Sequence, residues 1–381
     1  MAGKDQSLRW PAYWPPTTDH RGTHPSFTRL TCDKITDEVL AVLPSINESN
    51  ASRIRAMRLP ALVAFMIPHS TSHERLVVLC KWLTCLLLFG NLFEYPWFSQ
   101  GKLLPVGGEL SHLPRDLRLL ATDGHLASDN DIQPQSVRYI RGVFAQMLRL
   151  SPRKEQFLRA ADYLERAITA MHARKHGPSK ASDDLEQWKR SRVDSSGMFM
   201  LFHWMEFALD LQIPDSVWDD PTMQLLMDEA CLQIGVVNDL YSLPKHIFMN
   251  DGRVDTESMN CVAWLMRGTG ESLQEAVDRC WDYIHHLDDS VVHAAVVVKS
   301  RFRQNKAISQ IVDAIVYSLQ GSWAYGITSS QAWLKSLYAC QPALLSESFR
   351  DATCDGKQQP LVVSTEVDAE GDSARRGVEQ S

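Results

Sequence analysis

The sequence predicts an all-α fold built as a single large helical bundle. Three observations point there. Nearly every periodic segment repeats its apolar residues at three- and four-residue intervals. No stretch alternates apolar and polar residues as a half-buried strand would, and no βαβ pattern occurs. No linker divides the middle of the chain, although 381 residues would by length allow two or three domains.

The elements follow in chain order. Thr71 and Glu74 have the spacing of a capping box, and the segment behind them, about Glu74 to Tyr95, is apolar nearly all round. A helix of that kind belongs in the centre of a bundle. Ser151-Pro152 reads as an N-cap followed by proline at the first helical position. Behind it Phe157, Ala161, Leu164, Ile168 and Met171 share one helical face, and His176-Gly177-Pro178 stops the helix. Residues 177–184 form a polar loop. Asp220-Pro221 opens a helix running to about Leu243. Ser272 and Glu275 make another capping box. Ile308, Ile311, Val312, Ile315, Val316 and Leu319 form an apolar stripe ending near Gly321.

Residues 1–25 read as an N-terminal arm, rich in Trp and Pro without periodicity. Residues 26–340 read as the helical domain. Residues 341–381 are polar and small, and are expected to be a disordered tail.

Composition excludes several classes. The net charge of -7 lacks the basic stripe that nucleic acid requires. The uncharged run Trp82 to Phe93 lies between Lys81 and Glu94 and is too short to span a bilayer. The first ten residues hold no apolar run, so no secretory signal is expected. Eight scattered cysteines without a CxxC pair speak for a reducing compartment, the cytoplasm, rather than a disulfide framework or zinc site.

The sharpest local signal is Asn238-Asp239-Leu240-Tyr241-Ser242-Leu243-Pro244-Lys245-His246. Asn238, Ser242 and His246 are four apart, so each lies about 40° around a helix from the last and all three share a face. A carboxamide, a hydroxyl and a third donor in a row offer ligands to one Mg2+. Lys245 stands beside them, able to reach an anion. Pro244 removes a backbone N–H and frees the Leu240 carbonyl, so a kink is expected. A polar helix end capped by proline would give the same spacing.

This segment resembles the NSE motif, N-D-x-x-S-x-x-K-E, of microbial class I terpene synthases of the fungal sesquiterpene cyclase type. The helix leading into it, Glu229-Ala230-Cys231-Leu232-Gln233-Ile234-Gly235-Val236-Val237, resembles the family's too, as does Met259-Asn260-Cys261-Val262 after it. The resemblance covers roughly residues 60 to 335. It implies a bundle around a central apolar cavity, three Mg2+ ions, and a prenyl diphosphate substrate, farnesyl diphosphate being the expected one. It implies a small-molecule partner only, in a monomer or homodimer. The implied reaction is metal-assisted loss of diphosphate and cyclisation of the carbocation to a sesquiterpene.

Residue by residue, the resemblance assigns metal binding to Asn238, Ser242 and His246, the last standing where the family has an acid. The aspartate-rich motif of the family aligns with Gly90-Asn91-Leu92-Phe93-Glu94, leaving Asn91 and Glu94 as donors where two aspartates are absent. In Trp188-Lys189-Arg190-Ser191-Arg192-Val193-Asp194-Ser195-Ser196-Gly197, Arg192 takes the diphosphate-sensing place, with Arg190 second. Ser195 and Ser196 fall at the helix break, and Lys245 joins Arg192 on diphosphate. The family's terminal Arg-Tyr pair is replaced by Gln331-Ala332. Phe89, Phe93, Trp204, Phe207, Trp323 and Tyr325 are the expected cavity walls. The pairs Asp183-Asp184, Asp219-Asp220 and Asp288-Asp289 lie off the aligned positions, and His285-His286 with Asp288-Asp289 reads as a solvated helix face. The altered positions leave a second function open: a protein of this fold that binds or rearranges a terpenoid, or assists a partner enzyme, without metal-driven ionisation.

Overall fold

The computed structural model describes residues 26–43, 46–94, 112–124, 135–151, 153–176, 184–249, 254–255 and 258–340. Side chains are described within these except at 89–94, 171–176, 244–245, 248–249 and 327–340. The arm at 1–25 and the tail at 341–381 lie outside the described residues. Among the described residues every regular element is an α-helix, in agreement with the predicted class.

The helices are α1 (Arg29–Leu40), α2 (Glu48–Met57), α3 (Leu59–Met66), α4 (His73–Glu94), α5 (Leu113–Asp123), α6 (Gln135–Leu150) and α7 (Lys154–His176). They continue as α8 (Leu185–Ser196), α9 (Met198–Ala208), α10 (Asp215–Trp218), α11 (Pro221–Met249), α12 (Cys261–Thr269), α13 (Leu273–Arg301) and α14 (Lys306–Cys340).

The core has two seams. In one, α11 packs against α13 and α14, and α14 against α3. In the other, an aromatic chain links α4, α6, α7 and α9. Trp82 lies 4.0 Å from Phe144, Phe144 6.4 Å from Trp204, and Trp204 5.3 Å from Phe157. Helix α4, expected at the centre, buries Leu76, Leu79, Trp82, Cys85 and Leu88. The more enclosed helix is α9, whose ten residues Phe199 to Ala208 are all buried. Its C-terminal carbonyls still need partners. They find them at the start of α4: the Thr71 N–H and hydroxyl both donate to the Ala208 carbonyl, and Arg75 Nη1 donates to the Phe207 carbonyl at 2.6 Å.

Four expected details change. Thr71 is spent on α9, so Ser72 caps α4 instead, accepting the Arg75 N–H at 3.4 Å. Helix α7 begins at Lys154 rather than at Pro152, which lies outside the described residues; Ser151 is buried against Gln156. Helix α11 does not stop at Leu243 but runs through Pro244 to Met249. Helix α14 does not stop near Gly321, because that glycine packs within the helix rather than ending it. Its missing side chain admits the end of α3: a Cβ there would stand 2.4 Å from the Phe65 carbonyl oxygen. The capping box of Ser272 and Glu275 forms as expected, and α7 ends at His176.

The acidic pairs sort by burial. Asp184 caps α8 through the Gln187 N–H at 2.7 Å. Asp220 caps α11 and pairs with Arg301 at 2.8 Å. The expected solvated face at 285–289 holds for His285, His286 and Asp289, but Asp288 is buried and accepts from Gln233 at 2.9 Å.

Candidate active site

Helix α11 places the three motif residues on one continuous face. Residues 231–237 are all buried, and Asn238 then breaks surface as an exposed carboxamide. One turn on, Ser242 is half-buried, and its hydroxyl donates to the Asp239 carbonyl at 3.3 Å. Another turn on, His246 is half-buried. Pro244 does not interrupt the row, because the helix continues past it. The side chain of Lys245 is outside the described residues.

The strongest feature of the region is a bidentate ion pair between α8 and α11. Arg192 Nε donates to Asp239 Oδ2 at 3.1 Å and Nη2 to Asp239 Oδ1 at 2.8 Å. Nη2 also donates to the Gly235 carbonyl at 2.8 Å. The two side chains are 11% and 8% exposed, so water screens the pair weakly. Glycine at position 235 explains the fit. In a helix interior it costs about 1 kcal/mol relative to alanine, yet a Cβ there would lie 3.2 Å from the Arg192 guanidinium carbon.

Asp239 is itself held. Its Oδ2 accepts the Cys261 N–H at 3.0 Å, and Asn260 Nδ2 donates to its backbone carbonyl at 2.8 Å. Asn260 caps α12 through the Val262 N–H at 2.9 Å. One turn before Arg192, Trp188 stacks on Trp264 at 5.2 Å and donates from Nε1 to the Met259 carbonyl at 3.1 Å. The two segments Trp188 to Gly197 and Met259 to Val262, far apart in sequence, thus meet on Asp239. Neither Asp239 nor Asn260 has a role that motif spacing assigns. The only signal was an acid inside a motif otherwise read for its exposed donors.

The helix break falls where the sequence placed it. Helix α8 ends at Ser196, Gly197 adopts φ 69°, and α9 starts at Met198. That left-handed conformation favours glycine. Ser196 Oγ donates to the Val193 carbonyl at 2.7 Å and accepts the Met198 N–H at 3.2 Å. Ser195 Oγ donates to the Arg192 carbonyl at 3.3 Å. Arg190 is exposed on the opposite side of α8 from Trp188.

Asn91 and Glu94 belong to the last turn of α4, but their side chains, like those of Phe89 and Phe93, are outside the described residues. Trp204 and Phe207, expected on a cavity wall, are packed in the aromatic core with Phe157. Trp323 lies 5.1 Å from Tyr241 and 5.5 Å from Trp281. Tyr325 donates its hydroxyl to the Met57 carbonyl at 2.8 Å.

The donor set on α11 can be tested against Mg2+. Asn238 and Ser242 supply hard oxygens, which the ion accepts; His246 supplies nitrogen, a weaker match. Among the described residues no three His, Cys, Asp or Glu side chains gather as a metal group. Two neutral oxygens and an imidazole leave the ion's charge uncompensated. The set therefore fits Mg2+ that also takes phosphate oxygens from a ligand.

Comparison with known proteins bears on both sequence and fold. Residues 125–287 match the family model for terpene synthase family 2, C-terminal metal binding. That stretch contains the α8 break and the α11 row, and excludes both the end of α4 and α14. Sesquiterpene synthase 3 of Postia placenta is 29% identical over 42% of this chain and 41% of its own length. Talaropentaene synthase of Talaromyces verruculosus is 25% identical over 45% of this chain and 23% of its own. The chain thus spans less than half the length of these curated relatives. Among solved structures, a-eudesmol synthase superposes with a TM-score of 0.65 at 17% identity, covering 85% of this chain and 99% of that one. Hedycaryol synthase superposes with a TM-score of 0.60 at 19% identity, covering 87% and 99%. The chain therefore resembles terpene synthases in sequence over residues 125–287 and shares the fold of these solved synthases across the bundle.

Proposed function

We propose that the protein is a terpene cyclase that binds a prenyl diphosphate at the mouth between α8 and α11, ionises it and cyclises the carbocation. Farnesyl diphosphate is the proposed substrate, in line with the sesquiterpene synthases among its relatives. One observation carries the reading: Asn238 stands exposed at the end of a buried helical run, one residue from the carboxylate that grips Arg192.

Asn238, Ser242 and His246 would hold Mg2+ together with the substrate's phosphate oxygens, with Asn91 and Glu94 as proposed donors from α4. The family pattern implies three ions. When bound, they supply the positive charge that stabilises the leaving diphosphate. Arg192 and Lys245 bind that diphosphate; a guanidinium fork suits a pair of phosphate oxygens. Ser195 and Ser196, with Gly197, set the helix break that aims backbone carbonyls from α8. Proposed wall residues are Phe89, Phe93, Trp323 and Tyr325, whose ring faces would stabilise a cation; Trp204 and Phe207 are packed in the aromatic core instead. The apolar core behind them keeps water from quenching it. No helix among the described residues is long and apolar enough to cross a membrane. The six described cysteines are free and buried, consistent with work in the reducing cytoplasm.

The test is product analysis. Purified protein is incubated with Mg2+ and geranyl, farnesyl or geranylgeranyl diphosphate, and the organic extract is examined by gas chromatography–mass spectrometry. A cyclic product present with wild type and absent with Asn238→Ala supports the cyclase. One feature favours a second reading, a terpenoid-binding protein without ionisation: Gly90 and Asn91 stand where the family carries aspartates. Terpenoid binding that persists in EDTA, with no turnover, would support it.

A further inference from the structure

We infer that Asp239 is a positioning residue for the diphosphate, holding Arg192 by one edge of its guanidinium so that the Nη1 nitrogen is left to the ligand. This deepens the proposed diphosphate site and rests on it.

Arginine has five N–H groups in a rigid plane. Three are spent: Nε on Asp239 Oδ2, one Nη2 hydrogen on Asp239 Oδ1 and the other on the Gly235 carbonyl. The two on Nη1 have no partner among the described residues. A long side chain held at one point would swing; held at three points in one plane it presents its remaining donors in a fixed direction.

The carboxylate cannot follow if the arginine is drawn away. The Cys261 N–H fixes Oδ2, and Asn260 fixes the Asp239 backbone carbonyl. Gly235 keeps the floor under the guanidinium clear. Pairing with Asp239 lowers the net positive charge that Arg192 offers an anion. In return it fixes orientation, which matters more where metal ions supply the charge.

The test separates positioning from bracing. Binding of inorganic pyrophosphate with Mg2+ is measured by calorimetry for the full chain, for Asp239→Asn, for Arg192→Ala and for the double variant. Thermal melting is recorded for each. Asp239→Asn is expected to weaken pyrophosphate at least tenfold. The double variant is expected to be no weaker than Arg192→Ala alone, because Asp239 acts through Arg192. Trp188→Phe, which removes the bond to the Met259 carbonyl beside the same brace, should lower the melting temperature and leave pyrophosphate affinity within twofold. Should Asp239→Asn not fold, Gly235→Ala presses on Arg192 alone and should show the same tenfold loss. Wild-type binding together with Asp239→Asn, or Gly235→Ala in its place, within twofold of wild type overturns the inference and leaves the diphosphate site standing. So do losses that add in the double variant. Absence of pyrophosphate binding by the wild type overturns the diphosphate reading, and this inference with it.

Discussion

Gly321 of α14 and Phe65 of α3 meet backbone to backbone: a Cβ on Gly321 would stand 2.4 Å from the Phe65 carbonyl oxygen and 2.6 Å from the Met66 Cα. Both obstacles are main chain, so neither can rotate aside. Gly321→Ala must push two helices apart, and overpacking of this kind costs about 1–3 kcal/mol. Denaturant unfolding should show that loss as a lower midpoint. Gly326→Ala is the comparison, since its Cβ would meet the Tyr241 ring rather than backbone. It should cost less than Gly321→Ala.

Removing the carboxylate of the buried pair should be far more damaging than removing an exposed one. Asp239→Ala strands the Arg192 charge and the Cys261 N–H at once. Breaking a buried pair by deleting one partner costs about 3–5 kcal/mol. Asp162, 66% exposed and paired with Arg118, is the control, where alanine should cost about 1 kcal/mol or less. Urea unfolding of the two variants checks the ranking; equal losses would contradict it.

His203 gives a pH dependence with a definite sign. It is fully buried between Tyr163, at 4.5 Å, and Trp218, at 4.2 Å, and neither ring nitrogen has a hydrogen-bond partner among the described residues. Burial first, and the nearby Arg159 charge second, push its pKa down from 6.5 to about 3. The unfolded chain therefore binds the proton more readily than the fold. This contribution is fully present above pH 6.5 and is lost as pH falls from there toward 3. The slope is at most about 1.4 kcal/mol per pH unit. Stability measured between pH 7 and 4 should fall less steeply in His203→Phe than in wild type. An unchanged slope would contradict the assignment.

The cysteines offer a chemical check. Burial raises the thiol pKa of Cys32, Cys80, Cys85 and Cys231, and Cys280 is raised by its contact with Cys261 and by burial. A buried thiol held protonated is a poor nucleophile. Native protein treated with a thiol-reactive disulfide reagent at pH 7.5 should leave all six described cysteines unmodified by mass spectrometry. Denatured protein should react at all of them.

The fold class was legible because helical periodicity is a local property: the stripes at 157–168 and 308–319 face the core as read. Helix ends were less legible. Thr71 and Gly321 carry end signals by residue type, but contacts with α9 and α3 take them over. The exposed row Asn238, Ser242 and His246 followed from spacing within one helix. Asp239 did not, because its partners Arg192, Asn260 and Cys261 come from three other segments. No spacing rule within a helix connects residue 239 to residue 192. The enclosed aromatic helix α9 was read only through Trp204 and Phe207, since an all-apolar run has no face to detect.

The proposed cyclase breaks the bond between a prenyl group and diphosphate. The most direct measurement is release of inorganic diphosphate from farnesyl diphosphate, followed with a coupled phosphate assay with and without Mg2+. Wild type should release diphosphate in a Mg2+-dependent way, and Asn238→Ala and Arg192→Ala should each lower that release by at least tenfold. No release by folded wild type, or release unchanged in both variants, would contradict it.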